Sequence, residues 1–122
     1  GGSAVYRDAV ARLLAKAADL AKRAPRFAGW WLSTAEAWAD GPREVAIVGS
    51  PGPARAALVD AVWAWPAPGR VLAVGTAADD GVALLSGRSG PVPQAWVCRD
   101  FQCELPTDNP ERVAALLRGA TE

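Results

Sequence analysis

The chain has 122 residues, 51% of them hydrophobic and 21% charged, with thirteen basic side chains against thirteen acidic ones and no histidine. That is the size and balance of one globular domain with a real core, which excludes a disordered chain, and no apolar run approaches the ~20 residues that span a bilayer. Zero net charge provides no field for nucleic acid or an anionic membrane, and the missing histidine removes the commonest general base and most zinc and iron ligand sets, so neither partner and no cofactor is expected.

Methionine is also absent and the chain opens Gly1-Gly2-Ser3, which reads as an added linker, so the sequence is expected to be a piece of something longer. From Ala4 to Ala24 the apolar residues Val5, Ala9, Val10, Leu13, Leu14, Ala17, Leu20, Ala21 and Ala24 recur at three- and four-residue spacing, which predicts an amphipathic helix. Pro25 ends it. A second helix is predicted over 26–39, with Phe27, Trp30, Trp31, Ala35 and Trp38 on one stripe, and Asp40-Gly41-Pro42 stops it. So short a connection makes the two helices an antiparallel hairpin over 4–42. Three tryptophans and a phenylalanine are more apolar area than one partner helix covers, so the stripe predicts burial against something further, or otherwise a ligand-stacking wall.

After Pro42 the period changes. Arg43-Glu44-Val45-Ala46-Ile47-Val48-Gly49 reads as a buried strand, followed by the turn Ser50-Pro51-Gly52-Pro53. A helix then presents Leu58, Ala61, Val62 and Trp65 inward and Trp63 outward, and Val71-Leu72-Ala73-Val74-Gly75 returns as a second, parallel strand of a βαβ unit. The stretch 76–93 reads as loop with one helical turn at 80–85. Residues 94–98 and 102–106 predict two short antiparallel strands, and Asn109-Pro110-Glu111 opens a last helix carrying Val113, Leu116 and Leu117 and closing near Gly119. The fold class is therefore α/β: a helical hairpin, then over 43–122 a small Rossmann-like sheet with a C-terminal helix.

The phrase from Ala95 to Glu111, with Cys98-Arg99-Asp100-Phe101-Gln102-Cys103 and Pro106-Thr107-Asp108-Asn109-Pro110 inside it, resembles the ending of the spermatogenesis-associated, thioredoxin-domain-containing family. The strand at 43–49 with its following helix and strand is similar to that family's sequence at the same distance upstream, and the likeness covers most of 25–118. It departs at Trp96, where tyrosine is common, and at Asp100, where asparagine is common. The resemblance implies a C-terminal fragment of a protein with a thioredoxin-like domain and an (α/α)6 toroid similar to sugar epimerases. The helices at 4–24 and 26–39 would be a late hairpin of that toroid, and Trp30, Trp31 and Trp38 an interface whose partners lie in the remainder of the parent chain. The family's thioredoxin cysteines and toroid carboxylates lie outside these residues, so no catalytic residue carries over, and the implied role is structural or interaction-mediating.

Three further constellations carry chemistry. Cys98 and Cys103 come within the ~5.5 Å a disulfide needs if 99–102 turn the chain, which leaves buried thiols, a disulfide or a thiol-dependent redox module open. With no histidine the pair would bind metal only by recruiting another chain. Gly49-Ser50-Pro51-Gly52 stands between strand and helix, where α/β sheets hold phosphates, so a small-ligand or nucleotide site is an alternative reading. It matches neither glycine-rich motif, and Pro51 and Pro53 each delete an N–H that a cradle would use. Asp79 and Asp80 read as caps of the short turn, and Arg88 as a solvated loop arginine. Exposed aromatics also allow a homo-oligomer. One cysteine pair is too sparse for a secreted scaffold and no signal-peptide pattern appears, which makes the cytoplasm the expected compartment.

Overall fold

In the computed structural model, which describes residues 4–77, 81–99 and 102–119, contacts divide the chain into two units, Gly1–Asp40 and Gly41–Glu122. The first is built from alanine-rich sequence with high helix propensity. Helix α1 spans Ala4–Arg23, and Lys22 and Arg23 in its last turn complement the helix dipole. Pro25–Phe27 forms a separate 3-10 turn, closed by the Ala28 N–H donating to Pro25 O at 3.0 Å, and α2 runs Gly29–Asp40. The second helix thus starts three residues later than predicted. Pro25 fixes its own φ and opens the tight turn, and regular helix resumes only after buried Ala28.

Of the predicted stripe, Ala9, Val10, Leu14, Ala17 and Ala21 of α1 and the following Ala24 are withdrawn from solvent, narrower than the periodicity suggested, because Val5, Leu13 and Leu20 stay exposed. Only Ala17 in α1 and no residue of α2 is fully buried.

The second unit is a four-stranded sheet in the order β2-β1-β3-β4, with β1 at Arg43–Val48, β2 at Arg70–Gly75, β3 at Gln94–Arg99 and β4 at Gln102–Cys103. Helix α3, Pro53–Trp63, joins β1 to β2, which pair in parallel from Arg43↔Arg70 to Val48↔Gly75. On its other side β1 meets β3 antiparallel, from Arg43↔Arg99 to Val48↔Gln94, so the parallel βαβ unit sits in a mixed sheet. Two neighbours hold every β1 residue, which explains its continuous apolar run.

Side chains alternate across the pleat. Val45, Ile47, Ala95 and Val97 share one face with Leu58 and Val62 of α3 and with Val113, Leu116 and Leu117 of α4, Pro110–Leu117, all of them buried. Val59, Ala61 and Trp65 pack at the margin of this core, while Trp63 is exposed, as the helical pattern predicted. The opposite face carries Ala46, Val48, Ala73 and Trp96 and is covered by Leu84 and Leu85. Helix α4 begins as its sequence dictates: the Asn109 side chain accepts from the N–H groups of Glu111 and Arg112 at 2.8 and 3.2 Å, with Pro110 in the first turn. Strand β4 is shorter than the predicted 102–106. After Cys103 the ladder keeps only the Glu104 N–H to Val97 O bond, and Pro106, which has no N–H, precedes an isolated bridge between Thr107 and Ala95.

Candidate functional site

The sheet's second cluster leads to the cysteine pair. Residues 82–88 form one helical turn, with the Leu85 and Ser86 N–H groups donating to Val82 O at 2.8 and 3.1 Å, and Gly87 at φ 72 turns the chain out of it. That turn places Leu84 and Leu85 on the sheet and Arg88 beside β3. Asp79 and Asp80, read from the sequence as its caps, lie outside the described residues.

Cys98 stands directly opposite Cys103 in the β3–β4 ladder. Because Glu104 donates to Val97 O at 2.9 Å, the neighbouring 98/103 position is a non-hydrogen-bonded pair, where opposed side chains approach most closely. The two sulfurs are joined, at an S–S distance of 2.10 Å with 3.9 Å between the Cα atoms. Of the states the spacing left open, the structure thus holds the disulfide. Cys98 is buried, whereas Cys103, on a two-residue edge strand, is exposed.

Arg88 completes this site. It is half-buried rather than solvated, with Nη2 lying 3.4 Å from the Cys103 Sγ and 3.8 Å from the Cys98 Sγ. Its Nη1 donates to Leu84 O, which fixes the guanidinium plane. Its Nε is buried with no hydrogen-bond partner among the described residues. Nothing local in the sequence signals this contact, since the arginine precedes the cysteines by 10 and 15 residues and reaches them only because the sheet folds under the turn.

The Gly49–Gly52 turn has a different geometry. Gly49, at φ 154, passes so close to residue 93 that a Cβ there would lie 2.5 Å from the Pro93 Cα. Glycine is required by that approach. Its N–H donates to Gly75 O and its carbonyl accepts from Arg55 Nη1, both at 3.0 Å, so the turn's inner groups are engaged within the protein. Ser50 and Gly52 are exposed, and nothing lies within 4 Å of a Cβ built on Gly52.

In the helical unit Trp30 is 88% exposed, Trp31 37% and Trp38 43%. Trp31 and Trp38, seven apart, share one side of α2, and Tyr6, Leu13 and Leu20, spaced seven apart, form a line of exposed apolar side chains along α1.

Two more arginines escaped the sequence reading. Arg43, buried at the start of β1, donates from Nε to Leu117 O at 3.1 Å and lies 5.5 Å over the Trp65 ring, tying the end of α4 to the sheet. Arg70 donates to Val62 O at 2.9 Å and to Trp65 O, capping α3, and lies 4.3 Å over Trp63. Both are structural clamps.

Among the described residues no three histidine, cysteine or acidic side chains converge as metal ligands, and no helix is long and apolar enough to cross a membrane. The chain matches no family model, and no curated protein or solved structure is detectably similar to it.

Proposed function

We propose that this chain is a non-catalytic, C-terminal subdomain of a larger protein of the thioredoxin-domain and (α/α)6-toroid type that its 95–111 phrase resembles, with a structural or interaction role. One observation carries the reading: the helical unit leaves its largest apolar side chains uncovered. Isolated two-helix hairpins are marginal because helical stability comes mainly from packing an apolar face, yet here Tyr6, Leu13, Leu20, Trp30, Trp31 and Trp38 all remain exposed. A toroid of helical hairpins supplies neighbours for such a hairpin, and the remainder of the parent chain is the partner assigned to these faces. The cytoplasm stays the proposed compartment on the sparse cysteines alone, while the Cys98–Cys103 disulfide weighs toward a non-reducing one. In the cytoplasm the disulfide would have to be transient, since lasting disulfides are rare among cytosolic thiols.

The test labels the tryptophans with 5-fluorotryptophan and follows the 19F resonances of positions 30, 31 and 38, first in this chain and then in the longer product of the same reading frame. Covered by the parent chain, all three shift and lose their sensitivity to solvent isotope. Unchanged resonances sink the reading. Shifts that instead follow the concentration of the chain alone replace it with a homo-oligomer.

A further inference from the structure

Among the described residues, the Arg88 guanidinium at the cysteine site meets only a carbonyl and the two disulfide sulfurs. A disulfide sulfur is a weak hydrogen-bond acceptor, yet the Arg88 guanidinium is held by Leu84 O with Nη2 against both sulfurs and with its Nε buried and unpartnered among the described residues. A thiolate in the same place accepts a charge-assisted hydrogen bond and offsets the cost of the half-buried cation. The geometry is suited better to the reduced pair than to the oxidised one. The two sulfurs also differ in access: Cys103 lies exposed on the edge strand, and Cys98, opposite it in the ladder, is buried.

The geometry points to a reversible thiol–disulfide exchange site, in which a small thiol attacks the exposed Cys103 sulfur and Arg88 stabilises the Cys98 thiolate that leaves. In the first step the thiolate RS⁻ bonds to Cys103 Sγ, the Cys98–Cys103 S–S bond breaks, and its electron pair goes to Cys98 Sγ beside Arg88. A second RS⁻ attacks the sulfur of the R group in the mixed disulfide, releasing RSSR and leaving the electron pair on Cys103 Sγ, again within reach of the Arg88 Nη2. Two thiols are oxidised to one disulfide and the protein disulfide is reduced to two thiols, the protons of the two RSH passing to solvent or to the new thiolates. Run backwards with RSSR as oxidant, the same steps reform the bond. Exchange rate rises as the leaving sulfur becomes a better anion, which is the role given to Arg88.

The experiment incubates the folded chain with millimolar reduced glutathione at neutral pH, quenches in acid, and maps adducts by peptide mass spectrometry. The expected result is a glutathione adduct on Cys103 followed by the dithiol. Arg88→Leu slows the reaction about three- to tenfold, Arg88→Lys recovers part of the rate, and the three chains react alike in concentrated urea, where the guanidinium no longer meets the sulfurs. A folded chain that glutathione leaves intact, an adduct on Cys98, or an Arg88→Leu rate equal to the parent overturns the proposal. Should Arg88→Leu fail to fold, the adduct position in the unsubstituted chain decides the matter alone. None of these outcomes depends on the helical unit, so the proposal stands or falls separately from the subdomain reading.

Discussion

Both units of this chain are rich in apolar residues, and they use them in opposite ways. In the α/β unit nearly every large aliphatic residue of β1, α3, β3 and α4 is buried, and the large apolar residues left exposed lie at the edge strand, in loops, or, like Trp63, on an outer helix face. In the helical unit the small residues Ala17 and Ala28 are buried while Tyr6, Leu13, Phe27 and Trp30 face out. The contrast teaches that apolar periodicity reports an element's type and its apolar side, but not whether the protein at hand covers that side. A sheet satisfies both of its faces within its own unit, here with two helices on one and a single turn on the other. A helical hairpin covers only the seam between its helices, and with alanine in that seam it buries little.

The difference sets the scale of mutational effects. Ile47, in the middle of β1 and wholly buried among α3 and α4 side chains, is the place where the α/β unit has most to lose. Ile47→Ala is expected to destabilise that unit by about 3 kcal/mol, through lost burial and the cavity left behind. Urea unfolding followed by far-ultraviolet circular dichroism measures it. A cost under about 1 kcal/mol would mean that the core is loosely packed and the contrast overstated.

How much of this was legible in sequence differs along the same boundary. The order of elements, the parallel pairing of 43–48 with 70–75, the Asn109–Pro110 helix start and the outward Trp63 all follow from local patterns, because period, capping and turn chemistry act over a few residues. What stayed hidden depends on distant partners. Arg43 finds Leu117 at a separation of 74 residues, and Arg88 finds the cysteines only once the turn at 82–88 lies on the sheet. The cysteine spacing permitted a disulfide but could not specify it, since that rests on residue 98 falling at a non-hydrogen-bonded position, set by the register of two strands. The Gly49 turn illustrates the same limit: its composition suggests a ligand loop, and its geometry answers to Pro93, 44 residues on in the numbering.

Within the Gly49–Gly52 turn the expected effect is smaller and sharper. Gly49→Ala places a methyl group 2.5 Å from a backbone atom at a φ of 154°, so the segment around Pro93 must move. The expected cost is about 2 kcal/mol, whereas Gly52→Ala, at an extended φ of 161° with open space around it, is expected to change stability by less than about 0.5 kcal/mol. Thermal unfolding of the two variants side by side makes the comparison. Equal effects would remove the structural explanation for Gly49 and return the turn to consideration as a binding loop.

A similarly small effect is expected where the exposed side chain is largest. Trp30, 88% exposed on α2, contributes almost no buried area within this chain, so Trp30→Ser is expected to shift stability by no more than about 0.5 kcal/mol. The serine lowers helix propensity little, and the Thr34 hydroxyl bond to the residue 30 carbonyl involves main chain that the substitution keeps. If the proposed parent protein covers that face, the same change there removes an aromatic anchor and is expected to cost about 3 kcal/mol or more, the scale of a buried Trp truncation. Chemical denaturation of Trp30→Ser in both contexts therefore separates an apolar surface that the fold tolerates from one that awaits its neighbours. A near-zero cost in both assigns Trp30 to solvent and removes the main support for the proposal that the helical unit belongs to a larger assembly.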